Sequence, residues 1–228
     1  MSDFVVFTDS TADLPSKLAN ELGVVILSLE YTIDGNTYFD DPHNPPMALR
    51  DFYALLRTGK LSTTSQVNVA RFAEAFTQVL ENGQDVFYMG FSSNLSGTFQ
   101  SGQVAAAELA PRYPERKIRC VDTCAASMGE GLLVYLAVMK QREGLSIDEL
   151  QAYVEKIRDH LCHWFTVDDL NHLKRGGRLS ATSAFVGGML GIKPVLHVNE
   201  EGRLIPASKV RGRKASLKAL VERSEERR

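Results

Sequence analysis

A chain of 228 residues with 44% hydrophobic and 24% charged residues has the composition of an ordinary globular protein, with material for one large domain or two small ones. Its formal net charge of −2 gives no reason to expect nucleic acid or an anionic membrane as the main partner, and no apolar run is long enough to span a bilayer. The start, Met1-Ser2-Asp3-Phe4, lacks the features of a signal peptide, and Cys120, Cys124 and Cys162 form neither an even set nor a C-x-x-C pair, so reduced thiols in the cytoplasm are expected, without a stable membrane anchor.

Residues 4–7 form a short apolar run, a first strand, ending in Thr8-Asp9-Ser10-Thr11-Ala12-Asp13. Asp13 is placed to cap a helix starting near Pro15 and closing at Gly23, with Leu14, Leu18 and Leu22 on one face. A second strand follows over 24–29, so the chain opens as strand, loop, helix, strand. An aspartate at a strand end is where one class of phosphatase keeps its nucleophile, but that chemistry needs a second acid two residues on, and Thr11 stands there. Asp9 and Ser10 are therefore expected to fix their loop by side-chain to backbone hydrogen bonds.

Residues 31–41 form a hairpin about the strong turn pair Asp34-Gly35. Pro46 starts a helix to Thr58-Gly59, with Leu49, Phe52, Tyr53 and Leu56 at helical spacing. The hydroxyl-rich stretch 61–68 then precedes an amphipathic helix over 69–80. Taken alone, residues 63–66 are expected to be an exposed loop with a helix cap.

The chain is organised around residues 86–101. A buried strand over 86–91 runs directly into Ser92, Ser93, Ser96 and Thr98, with Gly97 allowing close approach to the backbone, and a helix continues to about 110. A helix N-terminus beyond the carboxyl end of a strand favours an anion. One capping serine is unremarkable, but hydroxyls at four positions between 92 and 98 exceed what a cap needs. Two hydroxyl clusters, each before a helix, imply convergence on one ligand.

A further strand over 116–122 ends in Asp122-Thr123, and small residues 125–131 lead into a helix over 128–142. Ser146 and Glu149 make a capping box for a helix to about His160. This alternation predicts an α/β lobe over 1–160, Rossmann-like with a mainly parallel sheet. His160 and His163 have no further ligand nearby and are expected to be structural, with no metal. Beyond 161 the texture changes to a smaller α+β lobe over 161–228. It begins with a short helix over 168–174 closed by Gly176-Gly177, where Lys174, Arg175 and Arg178 make an exposed cationic turn suited to an anionic group or an acidic protein surface. A new helix is expected near Ala181. Strands over 192–198 and 203–210 flank Asn199-Glu200-Glu201-Gly202, and a basic helix over 211–228 leaves the lobe C-terminally incomplete.

Taken together, Thr8-Asp9-Ser10-Thr11-Ala12-Asp13-Leu14, Thr64-Ser65-Gln66, Ser92-Ser93-Asn94-Leu95-Ser96-Gly97-Thr98, Val121-Asp122-Thr123, Val167-Asp168-Asp169-Leu170, Leu173-Lys174-Arg175-Gly176-Gly177-Arg178 and Gly191-Ile192-Lys193-Pro194 resemble the DegV family of bacterial fatty-acid-binding proteins, with its EDD-type fold. The motifs occur in family order over nearly the whole chain. The resemblance implies a non-catalytic lipid-binding carrier that encloses one long-chain fatty acid between two lobes and presents it to a fatty acid kinase for acyl phosphate formation. It implies carboxylate contacts from Thr64 and a serine of the Ser92-Ser93 pair, support from Ser65, Ser96 and Gly97, and a kinase-facing surface at Lys174, Arg175 and Arg178. No cofactor is implied beyond the bound lipid.

Phe185, Val186, Met189 and Leu190, interleaved with Gly187, Gly188 and Gly191, are the expected tail contacts. Each buried CH₂ contributes about 0.8 kcal/mol, so a long tail supplies affinity while hydroxyls suffice for the head group. Val67 stands where the family usually has proline, and the family's later histidine- and glycine-rich segment is not present before Arg228. The alternative is an enzyme acting on a phosphorylated small molecule, with a sugar-isomerase-like anion site. Against it, no acid or base is paired with Ser92 or Ser93 and no G-x-S-x-G elbow occurs. A third reading is an interaction module that uses the basic turn and no ligand.

Overall fold

The structure, a computed structural model, describes residues 3–179 and 191–225. The chain divides into two compact units, 1–160 and 161–228. The first unit contains, in order, β1 (Phe4–Asp9), α1 (Ser16–Leu22), β2 (Val25–Leu27), β3 (Glu30–Ile33), β4 (Asn36–Phe39), α2 (Leu49–Arg57), β5 (Ser62–Ser65), α3 (Val69–Glu81), β6 (Asp85–Gly90), α4 (Thr98–Leu109), β7 (Ile118–Asp122), α5 (Met128–Arg142) and α6 (Ile147–Arg158). Its main sheet is parallel, in the order β2-β1-β6-β7. The chain leaves β1 towards β2 and leaves β6 towards β7, so the order reverses between β1 and β6. In doubly wound sheets that reversal opens a crevice at the carboxyl ends of the strands.

Side chains alternate across the sheet and define its two faces. Phe7, Val86 and Tyr88 join Phe72, Phe76 and Leu80 of α3 and Phe99, Ala105 and Leu109 of α4 in one buried cluster. Phe4 and Phe87 meet edge to face on the other side, with ring centroids 6.2 Å apart. The slot holding Tyr88 is made by glycine: a Cβ on Gly102 would lie 2.6 Å from Tyr88 Cε1 and 3.2 Å from Phe72 Cε1. Because these rings are fully buried, Gly102→Ala is expected to cost about 1–3 kcal/mol by overpacking. Urea denaturation checks it, and an unchanged midpoint would show that the rings can move aside.

Local signals in the sequence map directly onto several elements. Asp34 and Gly35 both take positive φ, 55° and 78°, as a two-residue hairpin turn between β3 and β4 requires. Ser146 and Glu149 form the reciprocal capping box at the start of α6. Three expectations are corrected. Residues 62–65 are not a loop but an edge strand, β5, antiparallel to β3 in a small sheet of order β4-β3-β5. Asp13 does not cap α1, which starts after Pro15 without a side-chain cap; it sits in the left-handed region and accepts a hydrogen bond from Ser127 Oγ. The helix expected from Pro46 begins at Leu49, because Ala48 still has extended backbone.

The second unit is an antiparallel sheet of order β10-β9-β8, made of β8 (Trp164–Phe165), β9 (Ile192–Val198) and β10 (Leu204–Arg211). It also holds α7 (Leu170–Arg175) and α8 (Arg213–Glu225). Val195 and Leu196 are fully buried, and α8 packs on this sheet, with the Arg223 guanidinium over the Trp164 ring. The helix expected near Ala181 lies outside the described residues.

Candidate functional site

Three strands of the parallel sheet end in polar loops on one edge: β1 at Asp9, β6 at Gly90 and β7 at Asp122. The loop after β6 is pinned from both sides. Asp9 accepts from the Phe91 amide at 3.2 Å, and Asp122 accepts from the Ser93 amide at 3.3 Å. Asp122 also takes the Cys124 amide, while Thr123 donates its hydroxyl to the Gly90 carbonyl at 2.8 Å. The acids at the strand ends therefore hold backbone N–H groups, as expected of Asp9, which also accepts from the Thr11 amide.

Within this frame the serines differ. Ser92 is fully buried, its carbonyl accepting from the amides of Leu95 and Ser96. Ser93 is exposed, so of the pair it presents its hydroxyl to solvent. Ser96 Oγ accepts from the Thr98 amide at 3.2 Å and lies 3.0 Å from Thr98 Oγ1, which is a local capping role. Gly97 is the N-cap of α4 and supplies no side chain. The edge thus combines an exposed hydroxyl with the N-terminus of a helix of 12 residues.

Thr64 and Ser65 lie exposed on β5, where they oppose Tyr31 and Glu30 of β3. Adjacent strand residues face opposite sides, so the two hydroxyls cannot both point the same way. The next residue joins this strand to the serine turn. Gln66 Nε2 donates to Ser101 Oγ at 3.1 Å, and a Cβ on Gly97 would lie only 2.2 Å from Gln66 Oε1. A side chain at Gly97 would therefore displace the Gln66 amide from this seat, and Gln66 links the end of β5 to the start of α4. Val67 is buried in the core, so its side chain occupies space within the helix-sheet packing.

Beneath the edge lies a buried polar network that the sequence did not reveal. Asp9 also accepts from Tyr88 OH at 3.0 Å and from Thr11 Oγ1. Glu130 of α5 accepts from Thr8 Oγ1 at 3.0 Å and lies 3.0 Å from Thr11 Oγ1. Burial, opposed by hydrogen bonds, raises the Asp9 carboxyl above its ordinary value. Glu130 is pushed well above its ordinary value, first by burial and then by the neighbouring Asp9. The available signal was the glycine run around it: a Cβ on Gly131 would lie 2.6 Å from the Ala12 carbonyl oxygen, marking where α5 presses on the loop after β1.

In the second unit, Lys174, Arg175 and Arg178 are all exposed on the turn closing α7. Arg175 approaches His172 Nδ1 at 3.3 Å, and Arg178 donates to the Gly176 carbonyl. Phe185, Val186, Met189 and Leu190 lie outside the described residues. Among the described residues no cluster of His, Cys, Asp or Glu is arranged to hold a metal ion, and no helix is long and apolar enough to cross a membrane.

A doubly wound unit with hydroxyl loops at its switch point, joined in sequence to a small antiparallel α+β unit, defines a two-unit α/β protein with an anion-suited edge. A family model described as "uncharacterised protein, DegV family" matches residues 3–228, and the chain belongs to that family. A DegV domain-containing protein of Clostridium perfringens is 48% identical over 229 aligned residues, covering 100% of this chain and 78% of that protein. The solved structure described as fatty acid binding of a DegV family protein from Thermus thermophilus is 35% identical, with a TM-score of 0.85 over 99% of this chain and 78% of that one. A fatty acid binding DegV family protein from Streptococcus agalactiae is 34% identical with a TM-score of 0.83, again over 99% and 78%.

Proposed function

We propose that this chain binds a long-chain fatty acid by its carboxylate at the edge formed by Thr64, Ser93 and the N-terminus of α4, and presents it to a fatty acid kinase as a non-catalytic carrier. The observation that supports the reading is Gln66, which follows Thr64-Ser65 in sequence and seats its amide against Gly97 and Ser101 at the start of α4. Support comes from relatives of the same fold whose descriptions name fatty acid binding. A carboxylate on such an edge takes charge-assisted hydrogen bonds from hydroxyls and backbone amides and needs no arginine, because apolar burial of the tail supplies most of the affinity. Ser65, Ser96 and Gly97 would shape the edge, and the buried Ser92 would hold the turn from within.

The exposed cations Lys174, Arg175 and Arg178 would form the surface offered to the kinase. Native mass spectrometry of the purified protein tests the ligand. A co-purified fatty acid of defined mass is expected; a bound phosphate ester would replace this reading with an enzyme of phosphorylated small molecules, and an empty protein that takes up no added oleate would leave an interaction module. For the partner, reversing Arg175 and Arg178 to glutamate is expected to lower acyl phosphate formation with a fatty acid kinase at least tenfold while lipid binding stays unchanged. Unchanged turnover would remove the basic turn from the partner surface.

A further inference from the structure

We propose that Glu130 is a protonated positioning residue: its carboxyl hydrogen goes to Thr11 Oγ1, the Thr11 hydrogen goes to Asp9, and the ionised Asp9 holds the Phe91 amide and hence the serine turn. Thr11 Oγ1 contacts Asp9 Oδ1 and lies 3.0 Å from Glu130 Oε2, yet a hydroxyl carries one hydrogen and so donates to one of them. The Thr8 hydroxyl is committed to Glu130 Oε1 at 3.0 Å. With both carboxyls ionised, two acceptors would face each other across a single hydrogen. One proton on a carboxyl completes the chain.

The surroundings assign that proton. Asp9 receives the Thr11 amide and hydroxyl, Tyr88 OH and the Phe91 amide, a set of donors that stabilises a carboxylate. Among the described residues Glu130 receives only the hydroxyls of Thr8 and Thr11. Both acids are fully buried, and among the described residues neither forms an ion pair with lysine or arginine. The other titratable groups facing the pair are Asp13, near Glu130, and Tyr88, itself next to Cys120; Asp40 bonds the neighbouring Ser10. None of them supplies a cation, so the Asp9–Glu130 pair keeps one negative charge and places it at the carboxyl end of β1, where the strand order reverses.

Glu130 has a folded pKa raised from its ordinary value of 4.5, so above that pH the folded chain keeps a proton that the unfolded chain has released. Its stabilising contribution is complete below the unfolded value and is lost as pH rises towards the folded one. Each pH unit in that window raises the unfolding constant of the wild type tenfold relative to a variant lacking the group.

Glu130→Gln is nearly isosteric and keeps a donor towards Thr11 and an acceptor towards Thr8. Urea unfolding from pH 5 to 8 is expected to show the ratio of wild-type to variant unfolding constants climbing by about tenfold per unit until Glu130 titrates. Infrared spectra at neutral pH are expected to show a protonated carboxylic acid carbonyl band in the wild type and in Asp9→Asn, but not in Glu130→Gln. Hydrogen exchange at the Phe91 amide is expected to quicken at least tenfold in Asp9→Asn. Parallel pH profiles for wild type and Glu130→Gln, a band that vanishes in Asp9→Asn and survives in Glu130→Gln, or an unchanged Phe91 amide would each overturn the proposal. The value of this positioning for ligand binding rests on the fatty acid reading, but none of these readouts uses a ligand, so the two ideas fail separately.

Discussion

Replacing Thr64 and Ser93 together by alanine is expected to weaken fatty acid binding by about 10²–10⁴-fold while leaving the fold intact, since each hydrogen bond to a charged group contributes about 1.5–3 kcal/mol. Both side chains are exposed, one on the edge strand β5 and one on the turn after β6, so their loss removes hydroxyls without opening a cavity. Each single change should account for about 10–100-fold. The tail's share should be untouched, so chain-length preference should persist in the weakened double variant. Displacement of a fluorescent fatty acid, read alongside urea unfolding, checks both halves. The strand register supplies a control: Thr63 and Ser65 face the side of β5 opposite to Thr64, so Thr63→Ala should leave binding nearly unchanged. If Thr63→Ala weakens binding and Thr64→Ala does not, the other face of β5 carries the site. Undiminished binding in the double variant removes the carboxylate from this edge.

What the sequence made legible, and what it hid, divides along the range of the interactions involved. The Asp34-Gly35 turn and the Ser146 capping box depend on residues within one turn of each other, and both appear as expected. Helices α3 and α4 and strand β6 were equally readable, because periodicity or a continuous apolar run records burial locally. The strand character of residues 62–65 was not. A run of four small polar residues has no apolar alternation, and it becomes a strand only because β3, some 30 residues earlier in the chain, offers an edge. Asp13 illustrates the same limit from the other side. Its position before Pro15 fits a cap, but Ser127, separated by 114 residues, takes the carboxylate instead.

The candidate site was legible as a set of hydroxyls and illegible as a mechanism for holding them. Thr64 and the Ser92-Ser93 pair were singled out by the resemblance to the family's motifs, whereas the distinction between the buried Ser92 and the exposed Ser93 depends on the turn that Asp122 fixes from β7. Glu130 stands on a helix in a run of small residues and resembles a solvent-facing acid. Its burial follows from the close approach that Gly131 permits, and its partners lie 119 and 122 residues away in sequence. Asp9 was expected to serve its own loop, and it does, but its larger reach is to Tyr88 and Phe91 on the neighbouring strand and loop.

Phe76→Ala is expected to destabilise the first unit by about 3–5 kcal/mol, the range for deleting a buried phenyl ring when the surroundings cannot close over the gap. Phe76 is fully buried on α3, and its ring meets Phe7 at 5.2 Å, Phe72 at 5.6 Å and Tyr88 at 6.2 Å between centroids. Those partners come from two strands and the same helix, so no one side chain can swing in to fill the space. Phe76→Leu should cost much less, because most of the volume remains. Far-UV circular dichroism in urea is the measurement to use, because the single tryptophan, Trp164, belongs to the second unit and its fluorescence reports on that unit. A loss below about 1 kcal/mol would mean that α3 can settle onto the sheet without the ring. The consequence extends to the edge above: Tyr88 is held from below by this aromatic packing and from above by Asp9, so loosening Phe76 frees the phenol that helps fix Asp9. Phe76→Ala should therefore quicken exchange at the Phe91 amide, which hangs on that same carboxylate, more than at amides of α6, a helix with no residue in that aromatic cluster.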